Sequence, residues 1–245
     1  MTDGTFPSPF PVEDPQALAE LERAQGDLAR AVGRLVDATV RTRHEGPVLR
    51  EVAAEVDGLV ARLLGRAQKG PLGVETSSDG RLRDHANPMV GMRNPIAAPL
   101  VMTDDEGGVA CTFSLGAAYE GPPGCVHGGF VASVLDQVLG TAAARRRVPG
   151  LTAYLNTTYR RPTLLGTDHV CRARVDRLEG WKVFASGEIV DPQGRVTAEA
   201  EALFVVPRWA REHLGAPTGD AGDFDPPAGA SAEGSTGAAE GTATS

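Results

Sequence analysis

The sequence predicts an α+β domain in which one helix is covered by an antiparallel sheet. Two observations predict it. An apolar helix from about Gly128 to Arg145 stands between β-rich segments. Five to six strand candidates flank it. Leu100–Thr103 and Val109–Leu115 precede it, joined by the hairpin signal Asp105-Glu-Gly-Gly108, and 151–161, 168–179, 182–190 and 195–206 follow. One central helix with a run of strands in hairpin order is an α+β layer arrangement.

The other elements follow along the chain. Residues 1–14 are Pro-rich and are expected to be loose. From 15 to 67, Leu18, Leu21, Gln25, Leu28, Val32, Leu35 and Thr39 repeat at 3-4 spacing, and Leu49, Val52, Val56, Leu59 and Leu63 do so again after the turn signal Gly46-Pro47. This spacing predicts two helices, 15–43 and 48–66, as a hairpin serving either as a partner-binding element or as a packing seam. Residues 68–94 are turn-rich and read as an irregular lead-in with one short strand at most. The domain proper spans 95–210. Residues 211–245 form an acidic, Gly- and Ala-rich tail whose composition cannot offset its ordering entropy, and disorder is expected there.

Composition narrows the function. With 41% hydrophobic residues among 245, the chain can build a core, and a net charge of −8 argues against a sequence-independent grip on nucleic acid. The three cysteines show no C-x-x-C spacing, so neither a disulfide framework nor a zinc site is expected. No leader and no apolar span long enough for a membrane is visible, which predicts a cytoplasmic protein without membrane contact.

The chemistry concentrates on the helix. On a 100° wheel, Gly129, Ala132, Ser133, Asp136, Gly140 and Ala143 share one face, and Phe130, Val131, Val134, Leu135 and Val138 lie farther round. A lone carboxylate on a small-residue face suits acid–base or nucleophilic work at a close-approaching ligand; the plainer alternative is a solvated surface Asp. His127-Gly128-Gly129 opens the helix, where free N–H groups and the positive dipole end can receive an oxyanion, or where the glycines merely make a tight turn. Gly128 and Asp136 are about 12 Å apart along the axis. Two groups so spaced cannot serve one carbonyl. If both act, each site takes them from different subunits.

The strand 152–162 splits by period two. Ala153, Leu155, Thr157 and Tyr159 suit packing on the helix. Thr152, Tyr154, Asn156, Thr158 and Arg160 form a polar row for a ligand or for solvent.

Taken with Gly121-Pro-Pro-Gly-Cys-Val-His-Gly-Gly129, Asp136, Gly140, Thr152 to Pro162 and Leu178-Glu-Gly-Trp-Lys-Val-Phe184, the region 95–208 resembles the hotdog-fold, PaaI-type acyl-CoA thioesterases of the 4-hydroxybenzoyl-CoA thioesterase superfamily. The resemblance implies a long central helix wrapped by an antiparallel sheet of five to six strands, here preceded by the helical hairpin. It implies homodimers or dimers of dimers with interfacial sites. It implies Asp136, Gly128, His127 and Thr152 as catalytic residues, and Gly129, Thr158, Arg160 and Lys182 as substrate-binding residues. The implied substrate is an acyl-CoA, with no metal and no organic cofactor. Where many relatives carry an Asn six residues before the His, this chain has Gly121, and Trp181 replaces a basic residue. The N-terminal helices and the tail lie outside the resemblance. The implied reaction is hydrolysis to free acid and CoA, with Asp136 as general base or as nucleophile. The alternative is a non-catalytic acyl-CoA-binding protein, regulatory or scaffolding, on the same fold.

Overall fold

A computed structural model describes residues 14–70, 72, 75–76, 82–208 and 211. The loose N-terminus and nearly all of the acidic tail expected above lie outside these residues. Helix α1 spans Pro15–Arg41; the Asp14 side chain caps it by accepting from the Gln16 N–H, and proline occupies the first turn. Helix α2 spans Gly46–Leu64. The pair is a hairpin in chain order only, because no residue of α2 is buried.

α1 packs on only part of the predicted seam: Leu18 is buried and Gln25, Val32 and Leu35 are half-buried, and the packed face is turned away from the remaining positions. Its buried residues are Leu18, Gly26 and Ala29, with Leu21 and Leu28 left exposed. Small residues decide this: a Cβ on Gly33 would stand 2.9 Å from the Pro95 carbonyl oxygen, and one on Gly26 would stand 3.5 Å from the Met92 side chain. The helix therefore docks its small stripe onto the segment 89–98, and Glu22 reaches the buried His85 at 4.0 Å. A leucine ridge on that side would hold the two backbones apart.

Two short strands, β1 (Glu75–Thr76) and β2 (Leu82–Arg83), pair in the lead-in. The main sheet contains β3 (Val101–Asp105), β4 (Gly108–Phe113), β5 (Leu151–Tyr159), β6 (His169–Glu179), β7 (Lys182–Val190) and β8 (Val196–Val205). It is wholly antiparallel, in the order β3-β4-β6-β7-β8-β5. Helix α3, Gly128–Arg145, lies on one face and buries Val131, Val134, Leu135, Val138, Leu139, Ala142 and Ala143. Ala173, Ala185, Ala198, Ala200 and Ala202 floor the sheet beneath it, and their small size lets a helix lie close. This is the helix-and-wrapping-sheet arrangement of the hotdog fold. Ala143 belongs to this core, not to the open small-residue face, because the chain returning through Val148 covers the helix end, where the Val148 N–H donates to the Ala143 carbonyl.

Two consequences of the topology position the site. β5 is an edge strand, and its nine residues, LTAYLNTTY, carry no charge and no proline. Natural edges are usually blunted by one or the other. The opposite edge, β3, carries Asp104 and Asp105.

Candidate active site

Asp136 sits half-buried in the middle of α3, turned toward β5. Thr152 Oγ1 donates to Asp136 Oδ1 at 2.9 Å. That contact corrects the strict period-two assignment of β5. The ladder to β8 shifts register between Thr152 and Tyr154: Thr152 pairs with the core residue Phe204, and Tyr154 pairs with Leu203. One extra residue there turns Thr152 to the helix side while Tyr154, Asn156 and Thr158 stay on the outer face. Alternation alone cannot reveal a bulge, because it is a property of the ladder with the neighbouring strand.

The other end of the site is the start of α3. His127 is its N-cap, and its Nδ1 accepts from the Gly129 N–H at 3.0 Å. In the neutral ring this places the proton on Nε2. The Gly129 N–H, expected to meet substrate, is thus occupied by His127. The Gly128 N–H has no intrachain hydrogen bond among the described residues. It is an uncapped donor at the positive end of an 18-residue helix, suited to a carbonyl oxygen gaining charge.

The loop before it is held tightly. Glu120 Oε1 accepts from the Gly124 N–H at 2.8 Å, and the Gly121 N–H donates to the Cys125 carbonyl at 2.9 Å. A Cβ on Gly121 would stand 2.7 Å from the His127 Cα. The loop therefore excludes an Asn at that position, which explains the departure from the family pattern. Glu120 is engaged in closing the loop.

Tyr159 was missed as a site residue. Its hydroxyl donates to the Gly128 carbonyl at 2.9 Å, and its ring lies about 3.5 Å from where a Gly128 Cβ would be. The signal available was its place on the helix-facing row of β5. It is a positioning residue for the helix start. Tyr159→Phe is expected to remove one hydrogen bond, worth about 1 kcal/mol, and to lower kcat several-fold with KM little changed. A several-fold fall in kcat measured well below the slightly lowered melting temperature, where the variant is fully folded, separates positioning from stability; unchanged kcat in the Phe variant sinks the role.

The remaining sequence-predicted residues do not gather around Asp136 in one chain. Thr158 lies on the outer sheet face beside Glu199 and Glu201, in a polar groove of about 610 Å³. Arg160 is ion-paired with Glu199, its Nε donating at 3.0 Å. Lys182 opens β7 and pairs with Val205, which in turn pairs with Leu151. It stands across β8 from the Thr152 end of β5, whereas Thr158 and Arg160 stand at the other end, six residues and about 20 Å away. Gly128 and Asp136 are likewise separated along the helix.

The thiols offer little competition. Cys111 and Cys171 are cross-strand neighbours, both buried and free. Burial pushes the Cys111 thiol up to about 11, against a smaller lowering by a backbone hydrogen bond, and drives Cys171 higher still. Cys125 lies in the loop, its Sγ 3.6 Å from the Pro123 carbonyl oxygen. Among the described residues no group of three His, Cys, Asp or Glu is placed to hold a metal, and no helix is long and apolar enough to cross a membrane.

Comparison with known proteins agrees with this fold. The family described as the thioesterase superfamily matches residues 123–198, the stretch from the loop through α3 to β8. A crystal structure of a thioesterase superfamily protein is 34% identical with a TM-score of 0.66, covering 74% of this chain and 94% of that one. That coverage exceeds what 95–210 holds, so the likeness runs on into the N-terminal part, which the sequence motifs had left outside. Acyl-coenzyme A thioesterase THEM4 of Xenopus laevis is 36% identical over 98 residues, 40% of this chain and 44% of the relative. The Mus musculus THEM4 is 39% identical over 95 residues, 38% of this chain and 40% of the relative. The chain spans less than half the length of these curated relatives. Through its fold, its match to the family over residues 123–198 and a 34% identical relative matched nearly end to end, this chain belongs to the thioesterase superfamily.

Proposed function

We propose that this protein hydrolyses acyl-CoA thioesters to the free acid and CoA, at sites shared between two copies of the chain. The observation that carries the proposal is the pairing of an oriented carboxylate, Asp136 held by Thr152, with an uncapped helix-start donor, Gly128, both beside an uncharged edge strand. Two β5 edges meeting antiparallel about a two-fold axis complete their ladders. The same two-fold sets the Thr152 end of one β5 against the Tyr159 end of the other. Asp136 of one copy then approaches Gly128 of the second, and Lys182 of one approaches Thr158 and Arg160 of the other. Both separations seen within a single chain are closed by the same operation.

In such a site the thioester oxygen accepts from the Gly128 N–H, which polarises the carbonyl. Asp136 takes a proton from water as the water oxygen bonds to the carbonyl carbon. The carbon–sulfur bond breaks, and the proton passes to the departing CoA sulfur. In the nucleophilic variant an Asp136 oxygen attacks first, CoA leaves, and water opens the mixed anhydride. Thr152 serves either route by fixing one carboxylate oxygen and leaving the other free. His127, with Nε2–H turned outward, lies beside the bound carbonyl. Thr158, Arg160 and Lys182 contact the CoA, where Arg160 exchanges its Glu199 partner for a phosphate. No metal and no organic cofactor enters the reaction, and the work is placed in the cytoplasm.

The test is thiol release from a panel of acetyl to palmitoyl and aryl CoA esters. Turnover on at least one ester supports the proposal. Binding of the whole panel with no release above the buffer rate favours the non-catalytic acyl-CoA-binding reading instead.

A further inference from the structure

The apolar stripe of α2 has no use inside its own chain. Leu49, Val52, Leu59 and Leu63 are between 41% and 55% exposed, and nothing on the helix is buried. Together with Val56 they keep the 3-4-3-4 spacing of a coiled-coil seam, positions a and d of successive heptads. The flanks differ. On one side stand Ala53 and Val60, which widen the apolar face. On the other stand Glu55 and Arg62, opposite charges one heptad apart, with no ion pair to either within the chain among the described residues.

We propose that α2 pairs with α2 of a second copy as an antiparallel two-helix seam, an interface separate from the β5 edge. A two-fold axis between Asp57 and Gly58 stacks Val52 on Leu63 of the second copy and Val56 on its Leu59, and repeats both contacts by symmetry. The same axis sets Glu55 against Arg62 of the second copy, twice, and Ala53 against its Val60. A parallel pairing would instead set Glu55 against Val60 and leave both charges unmatched. The charge pattern therefore selects the second copy of this chain as occupant, and selects its direction.

The size of the seam says what it builds. The helix has 19 residues, so it is about 28 Å long, and a stripe about 10 Å wide gives a footprint of roughly 300 Å² against about 800 Å² per partner in a standard stable interface. Such a seam adds to another interface instead of standing alone, and joins two edge-paired dimers. It rests on the edge-paired dimer proposed above, but not on whether the protein hydrolyses anything.

The test uses the full chain and light scattering. Because α2 buries nothing in its own chain, Leu59→Asp is expected to fold normally and to halve the assembly mass. Glu55→Arg is expected to lower the fraction of the larger assembly, and Glu55→Arg with Arg62→Glu to restore it. Cysteines at 55 and 62 lie about 10.5 Å apart along one helix, beyond disulfide reach, so the double variant Glu55→Cys, Arg62→Cys is expected to give a covalent dimer on oxidation that each single variant lacks. Wild-type mass in Leu59→Asp overturns the seam. Halved mass without the cross-link also overturns it, assigning the face to another surface such as the exposed Leu21 and Leu28 of α1.

Discussion

Asp136→Asn is expected to lower kcat on the preferred acyl-CoA by at least about 100-fold, the lower end of what a positioned general base supplies, while CoA still binds. The substitution isolates charge from shape. An amide oxygen can still accept from Thr152, which holds Asp136 at 2.9 Å, so the local packing of α3 on β5 survives. What disappears is the group proposed to take a proton from water or to attack the carbonyl, and both proposed mechanisms need it. The proposed CoA contacts lie elsewhere, on β5 and β7, so binding measured by calorimetry is expected to stay close to that of the parent. Turnover within a few-fold of the parent would sink the role of Asp136, and with it the placement of the site on this helix.

Mixing two inactive chains is expected to restore about a quarter of the original turnover. One chain carries Asp136→Asn. The other carries Gly128→Val, whose side chain would crowd the Tyr159 ring, already about 3.5 Å from a Cβ at that position, and cover the free N–H. Random assortment makes half of the dimers mixed. In each mixed dimer one site joins an intact Asp136 to an intact Gly128, and the other carries both lesions. The reasoning rests on a length: eight residues of helix separate the groups by about 12 Å, and an attacking atom must come within about 3–3.5 Å of the carbon. If mass spectrometry shows mixed dimers and turnover stays at zero, one of the two residues is wrongly assigned.

Much of this was legible in the sequence because it is locally encoded. The helix from Gly128 to Arg145 is found with those same bounds, since His127-Gly128-Gly129 marks its start and an apolar stripe runs to an Arg-rich end. The strands at 151, 168, 182 and 195 hold because each carries its own alternation and turn signals. Asp136 stood out because one charge interrupts a face of small residues, and Gly128 because two glycines expose a helix start.

What only the tertiary structure decided concerns relations between elements. Spacing on α1 marked a single seam running from Leu18 to Thr39. The nearness of Pro95 turned the helix toward Gly26, Ala29 and Gly33, because backbones that approach this closely leave no room for a larger side chain. Period two placed Thr152 on the outer face of β5. One unpaired residue in the ladder with β8 turned it inward to Asp136. Tyr159 joined the site because the end of β5 lies under the first turn of α3. A sequence records what each segment prefers to bury. It does not record which neighbour arrives, at what distance, or with one residue more on its side of the ladder, and those three quantities fix where a hydroxyl meets a carboxylate.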